Sequence, residues 1–299
     1  MNITRRKFLQ SAAVASSLAA TQPFSIFGQN AKPAARLNIC AFEKPLQFLP
    51  FDELAELFSD IGFNGVEATV RPGGHVLPEK VEDDLPRYLD ALKKHGQEMT
   101  VLTSGISGID SPHAEKVLRT AAKLGVKHYR MNWFRYDLKK PLLPQLDELR
   151  PKLKELAALN RELGLTALYQ NHAGSNMVGA PLWDIYSIIK DFDPKQIALA
   201  FDIRHATVEG GLSWPIQFHL VKSHIGAVFV KDSVWEKGKV KNVPLGQGMV
   251  DKNFFPLLKE INFTGPISLH VEYLDRSKDK NVLAEAFKKD LATLKSLLG

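Results

Sequence analysis

The chain has one cysteine, Cys40, in 299 residues. A single thiol excludes an internal disulfide, and in an apolar, strand-like run it reads as a buried, inert side chain. No glycine stands in Cys40-Ala41-Phe42-Glu43-Lys44-Pro45, after the first expected strand. That absence argues against the phosphate-binding turn of a dinucleotide-binding open sheet. No cluster of lysine and arginine interleaved with aromatics occurs, so the footprint of a nucleic-acid-binding surface is missing. The apolar, Ala/Ser-rich stretch from Ser11 to Ala20 is too short to span a bilayer comfortably. No linker, low-complexity tract or composition break follows residue 35, which makes one domain the simplest organisation. What is present is ordinary for a globular protein: 44% hydrophobic and 24% charged residues, with length enough for a sizeable core.

The N-terminus stands apart from the fold. Thr4-Arg5-Arg6-Lys7-Phe8-Leu9-Gln10 precedes the Ser11–Ala20 stretch. Paired arginines before a modest hydrophobic core form the pattern of a twin-arginine export signal. An ordinary secretory signal or a basic tail is the alternative. Residues 1–31 are therefore expected to be a leader, cleaved between Ala19 and Ala31, and residues 36–299 the folded domain. The leader contains Arg5, Arg6 and Lys7 and no acidic residue, so removing it lowers the formal net charge from +6 to +3. The expected location is periplasmic or extracytoplasmic. A lone cysteine suits cargo that folds in the reducing cytoplasm before transport.

After the leader, strand and helix patterns alternate to the end. Strands are expected over Arg36–Phe42, Gly65–Val70, Glu98–Leu102, Lys127–Asn132, Leu165–Gln170, Gln196–Asp202, Ile225–Lys231 and Pro266–Val271. Helices are expected over Phe51–Asp60, Leu85–His95, Ser111–Leu124, Gln145–Leu163, Leu182–Asp191, Pro215–Lys222, Phe254–Ile261 and Asn281–Leu298. Leu85, Tyr88, Leu89 and Leu92 show the helical spacing. Ser111 and Pro112 suit an N-cap and first helical position, and Gly164 a helix stop. Eight strands alternating with eight helices predict an α/β fold: a single (β/α)8 TIM barrel, closed and parallel. A doubly wound open sheet is the runner-up.

Four strands end in polar chemistry: Tyr169-Gln170-Asn171-His172, Phe201-Asp202-Ile203-Arg204-His205, Phe229-Val230-Lys231-Asp232 and Leu269-His270-Val271-Glu272. Barrels of this kind gather their active site at the C-terminal ends of their strands. Residues two apart on a strand share a direction, so Gln170 with His172, Phe229 with Lys231, and His270 with Glu272 can meet Asp202 at the mouth. An Asp, a Lys, a Glu and two His converging on one pocket suit proton transfer, metal binding or both. Glu67 on the second strand can bind ligand hydroxyls or neutralise Arg71 or Lys231. Arg71-Pro72-Gly73-Gly74-His75 forms a turn whose Arg71 and His75 offer donors to an oxygen-rich ligand. Arg130, Asn132 and Trp133 end the fourth strand, where Trp133 can stack on the face of a ligand or pack in the core. His95, His113, His128, His219 and His224 read as structural or solvent-facing.

The motifs GFNGVEA at the second strand, YQNHAG at the fifth, FDIRHA at the sixth, VFVKD at the seventh and ISLHVEY at the eighth together resemble the sugar phosphate isomerase/epimerase family of xylose-isomerase-like barrels. The resemblance covers about residues 36–298. It implies a divalent metal (Mn, Zn or Mg) held by Glu, Asp, His and Glu from strands five to eight. Carried over, those positions are Gln170, Asp202, Phe229 and His270. Asp202 matches, Gln170 keeps an oxygen without charge, His270 offers an imidazole, and Phe229 cannot bind a metal. Glu272 and His172 are the available replacements. The Lys231-Asp232 pair is retained, as is His205 three residues after Asp202.

The resemblance implies an isomerase or epimerase acting on a carbohydrate by removing a proton next to a carbonyl. Glu272 or Asp202 is then the base and Lys231 the stabiliser of the enediolate, with His205 binding a hydroxyl or relaying a proton. Glu67, Arg71, His75, Asn132, Trp133 and His172 are the expected ligand contacts. Export favours a free sugar or keto-sugar over a phosphorylated one. A keto-sugar lyase or hydratase, or a non-catalytic sugar-binding protein, is the alternative. The partner expected is a small carbohydrate, without nucleic acid or a stable membrane span; a homo-oligomer is allowed.

Overall fold

A computed structural model describes residues 38–274, 277 and 279–299. The expected leader lies outside the described residues. Eight parallel strands close into a barrel: β1 (Ile39–Phe42), β2 (Gly65–Val70), β3 (Glu98–Ser104), β4 (His128–Arg130), β5 (Thr166–Gln170), β6 (Ile197–Asp202), β7 (Ile225–Val230) and β10 (Ile267–Leu269), with β1 pairing both β2 and β10. Two further strands, β8 (Asp232–Glu236) and β9 (Lys239–Val243), form a separate antiparallel hairpin. The helices are α1 (Phe51–Ile61), α2 (Val81–Lys94), α3 (Ala114–Lys123), α4 (Leu142–Leu163), α5 (Trp183–Ile189), α6 (Ile203–Gly210), α7 (Trp214–Val221), α8 (Phe254–Glu260) and α9 (Lys280–Leu298). None of the described helices is long and apolar enough to cross a membrane.

The two-residue strand period separates two cores. Val101, Leu168, Ala198, Ala200, Ala227 and Phe229 fill the barrel interior. Their neighbours Leu102, Tyr169, Leu199, Phe201, Val228 and Val230 point outward into the larger layer beneath the helices. The small Ala side chains leave room for Leu168 and Phe229. Gly226 belongs to the same economy, because a Cβ there would stand 2.8 Å from the Ala198 Cβ.

Helix ends follow local chemistry. Gly164, with φ of 67°, closes α4 as expected. Ser111 does not cap α3: the helix starts later, at Ala114, after His113 in a left-handed conformation. The Ser111 hydroxyl instead accepts from the Ser107 and Gly108 amides, 3.0 and 3.3 Å away, and shapes the preceding turn. Two elements were not expected. The short helix α6 begins directly at the end of β6, with Asp202 as its cap. The β8–β9 hairpin turns through Lys237 and Gly238, both at positive φ, the geometry of a tight two-residue hairpin turn.

Candidate active site

The polar residues at the barrel mouth lie directly above the interior plug. Two residues beyond Val101, Leu168, Ala200 and Phe229 come Thr103, Gln170, Asp202 and, just past the end of β7, Lys231. β2 adds Glu67, β4 adds Arg130, and β10 with its following turn adds Ser268, His270 and Glu272. All are buried except Glu272, whose side chain is 18% exposed.

Two carboxylates organise this layer. Glu67 accepts from Thr103 Oγ1 at 2.5 Å, Ser268 Oγ at 2.6 Å and His270 Nε2 at 2.9 Å, with Arg130 Nη1 at 3.4 Å. Burial alone would favour its neutral form, but His270 and Arg130 outweigh burial and hold its pKa near about 2. Glu67 thus neutralises chiefly Arg130 and also acts on the more distant Arg71, one of the two partners anticipated from sequence, and its oxygens are spent inside the protein. Asp202 accepts from the His205 amide at 3.1 Å on one oxygen and from Gln170 Nε2 at 2.7 Å on the other. The Lys231 ammonium lies 3.4 Å from that second oxygen and 2.8 Å from Glu272. Glu272 is held well below the usual carboxylate range: burial opposes ionisation, and Lys231 and His270 more than offset it.

Two histidines sit beside Lys231 in opposite tautomers. His205 Nδ1 accepts from the Ala173 amide at 3.1 Å and faces Arg204 Nη1 at 2.9 Å. Both partners are donors, so the ring proton is on Nε2. Nε2 has no hydrogen-bond partner among the described residues, and Asp202 Oδ2 is 3.6 Å away. Burial, then Lys231, push its pKa well down, so His205 is a neutral donor. His172 faces the Ala173 carbonyl oxygen at 2.9 Å through Nδ1, which therefore carries its proton. Burial and Lys231 lower its pKa to about 4. Its ring contacts His205 at 4.0 Å and Trp133 at 4.7 Å, so Trp133 belongs to the mouth and not to the core.

The other expected contacts divide. Arg71 is half-buried near the mouth, where burial and the like charge of Arg130 weaken its hold on a proton. Asn132 is exposed and accepts from the Trp133 amide. His75 does not offer a donor to the mouth. Nδ1 meets buried Glu43 at 2.9 Å and Nε2 meets the Leu49 carbonyl at 2.9 Å, so it fastens the 71–75 turn. Glu43 also accepts from the Thr69 amide and hydroxyl and the Tyr88 hydroxyl. Cys40 is buried, and burial pushes its thiol far up, as expected of an inert side chain. Sequence reading named Arg130 without a role and missed Glu43, Thr103 and Ser268. Their neighbours are long-range in sequence, so no local spacing marks them.

The expected metal donors do not fit a divalent ion. Gln170 turns its amide nitrogen to Asp202 and its oxygen to Arg130 Nη1 at 3.0 Å. Phe229 is apolar and Lys231 brings a positive charge to Asp202, which leaves His270, with Nε2 on Glu67 and Nδ1 without a partner among the described residues, as a single imidazole donor beside an already paired carboxylate. No three His, Cys, Asp or Glu side chains among the described residues are grouped to hold a metal ion.

These features define a parallel α/β barrel with a buried, charge-paired mouth. A family model described as the xylose isomerase-like TIM barrel matches residues 55–297, and the chain belongs to that family. No curated protein matches the sequence significantly. Among solved structures the chain is similar to 3-keto-D-glucoside 4-epimerase YcjR from E. coli, at 18% identity and a TM-score of 0.67, covering 87% of this chain and 100% of that one. It is similar to D-psicose 3-epimerase at 14% identity and a TM-score of 0.66, covering 88% and 100%. The IOLI protein with a bound zinc atom has 18% identity and a TM-score of 0.69, covering 88% and 98%.

Proposed function

We propose that the protein is an exported enzyme that isomerises or epimerises a free sugar or keto-sugar by moving a proton next to a carbonyl. The observation that carries this reading is the Lys231–Glu272 pair. Its N–O distance is 2.8 Å, with Lys231 5% and Glu272 18% exposed. Asp202 and Glu67 are fully buried, with their oxygens committed to internal partners. Glu272 is the carboxylate of the cluster that a ligand can reach, which favours it over Asp202 as base.

In this reading the substrate carbonyl oxygen takes hydrogen bonds from the Lys231 ammonium and from His205 Nε2–H. Glu272 removes the proton from the adjacent carbon; the C–H electron pair becomes a C=C bond and the carbonyl π pair moves onto oxygen to form an enediolate. Lys231 stabilises that anion without reorganising. Protonation of the same carbon from the opposite face, by a donor other than Glu272, gives the epimer, and Glu272 then loses its proton to water. Protonation of the neighbouring carbon by Glu272, with the hydroxyl proton passing from one enediolate oxygen to the other, gives the isomer. Lys231 holds Glu272 a weak base until a ligand oxygen shares the ammonium, which links proton removal to occupancy. Asp202 orients Lys231 and caps α6, and Trp133 and His172 form one wall for a sugar face. The two export arginines, Arg5 and Arg6, support an extracytoplasmic sugar over a phosphorylated intermediate.

The departures at Gln170 and Phe229 favour a second reading. The same enolate can expel a leaving group from the β-carbon, which makes a keto-sugar lyase or hydratase. Incubating the protein with 2- and 3-keto sugars and following products by NMR separates the two readings. Saturable binding without any product, unchanged in Lys231→Ala except for weaker affinity, overturns both and leaves a sugar-binding protein.

A further inference from the structure

We propose that Arg130 takes the place of a divalent metal at this barrel mouth, so that the site works with a fixed protein cation. The proposal rests on the reading above only for what the cation does; its location and its exclusion of metal rest on geometry.

Arg130 rises from the end of β4, touches two of the four positions at which the resemblance puts ligands, Gln170 and Phe229, and is linked to the other two, Asp202 and His270, through Gln170 and Glu67. Its Nη1 donates to Gln170 Oε1 at 3.0 Å. Gln170 in turn donates to Asp202 at 2.7 Å. The guanidinium carbon lies 5.8 Å from the Phe229 ring centre and 5.0 Å from that of Phe42. It shares Glu67 with His270, Nη1 at 3.4 Å and Nε2 at 2.9 Å from that carboxylate. The His270 ring is packed between Phe42, at 4.5 Å, and Phe229, at 4.8 Å.

Each departure from the usual donors suits a guanidinium. A carboxylate at position 170 would set a second negative charge against Asp202. The Gln170 amide instead accepts from Arg130 and donates to Asp202, so the donor–acceptor sense runs unbroken from cation to anion. An imidazole at position 229 would offer a lone pair or a second positive charge. The Phe229 ring offers its electron-rich face, which attracts a cation through its quadrupole. Lys231 completes the arrangement as a second fixed cation 3.4 Å from Asp202. A divalent ion entering here would meet two protein cations, with Asp202 and Glu272 both already paired to Lys231. A guanidinium carries its charge as part of the side chain, so this cation needs no loading. Arg130 therefore polarises the site through Gln170 and Asp202 and secures the negative form of Glu67. It is a positioning residue, whereas Lys231 touches the substrate.

The test is a titration of the purified wild-type chain, dialysed against EDTA, with MnCl2 and with ZnCl2 by calorimetry, together with elemental analysis of the protein as isolated. We expect substoichiometric metal and no saturable binding tighter than roughly 1 mM for either ion. One equivalent bound at roughly micromolar Kd, and lost in Asp202→Asn, overturns the proposal. The variant Arg130→Met/Gln170→Glu/Phe229→His restores a donor set and removes the competing charge. If it folds by circular dichroism, it should bind Mn at least ~100-fold more tightly than wild type. No gain in a folded triple variant contradicts the argument, and if that variant fails to fold the wild-type titration decides. Keto-sugar turnover that requires added metal overturns the proposal while leaving the proton-transfer reading intact. No turnover with or without metal, in a protein that binds none, overturns that reading and leaves the assignment of Arg130 standing.

Discussion

Replacing Lys231 with methionine removes the ammonium and keeps most of the stem's volume. Lys231 is 5% exposed and ion-paired with Glu272 at 2.8 Å and Asp202 at 3.4 Å. Removing one partner of a buried pair costs about 3–5 kcal/mol, because the other charge is left uncompensated. Asp202 keeps Gln170 at 2.7 Å and the His205 amide at 3.1 Å, so most of the damage falls on Glu272. Glu272 is partly open to water, which screens it, and the expected loss at pH 7 is about 2–3 kcal/mol. The sign with pH is fixed by the direction of the Glu272 pKa. In the wild type it lies below the unfolded value of 4.5, so the pair stabilises above that pH and the contribution fades as pH falls through the folded value. In Lys231→Met, burial acts without its main opponent and raises the pKa, so the penalty is present at pH 7 and relieved as pH falls. Urea denaturation at pH 7 and pH 4.5 measures the gap, which should shrink by at least half at the lower pH. The double variant Lys231→Met/Glu272→Gln should recover more than about 1 kcal/mol of the loss at pH 7. A gap of the same size at both pH values, or a double variant with purely additive losses, refutes the reasoning.

Asp232 accepts the amides of Ser233 at 2.8 Å, Gly246 at 3.0 Å, Gly248 at 2.9 Å and Val250 at 3.1 Å. Asp232→Asn keeps at most one acceptor oxygen and should cost about 2–3 kcal/mol in urea denaturation while opening the 244–250 loop to limited proteolysis; unchanged cleavage would contradict this. Glu43→Gln should loosen the turn fastened by His75, Thr69 and Tyr88. Faster hydrogen exchange at the Val76 amide, which donates to the Thr69 carbonyl at 3.0 Å, is the expected sign; unaltered exchange there would show that the anchor is elsewhere. His172 has a folded pKa of about 4 against an ordinary 6.5, through burial and then Lys231. Its contribution is complete above pH 6.5 and lost as pH falls through 4, at most about 3 kcal/mol. Urea midpoints should therefore drop over that window, with a flatter slope in His172→Phe; equal slopes would exclude His172 as the source.

Strand positions were legible where one-sided patterning coincided with burial. Gly65–Val70 is a strand over the expected range, and Asp202 meets the other polar residues at the mouth as read, because it continues the inward row of Ala198 and Ala200 on β6. Asp202, Lys231, Glu272, His172 and His205 came together because each is tied to its strand end by local spacing. Arg130 was harder: β4 has three residues, too few for alternation to tell which way its last side chain points. Its significance lies in Glu67, Gln170 and Phe229, brought from three other strands. His75 was misread because two glycines suggest an open ligand turn, whereas its orientation is set by Glu43, 32 residues earlier. The β8–β9 hairpin had a local sign, Val234-Trp235-Glu236-Lys237-Gly238-Lys239-Val240, in which alternation flanks a glycine turn. The length of the loop after β7 hid it among the barrel's alternating units.

The central claim is that Lys231 and Glu272 move a proton next to a sugar carbonyl. Deuterium wash-in measures it most directly: 2- and 3-keto sugars are incubated in D2O with wild type, Lys231→Met and Glu272→Gln, with EDTA and with added Mn, and read by NMR. The account predicts exchange at the carbon adjacent to the carbonyl in wild type, undiminished by EDTA, and at least ~100-fold slower in either variant. No exchange with any keto-sugar in wild type, or undiminished exchange in Glu272→Gln and Lys231→Met, contradicts it.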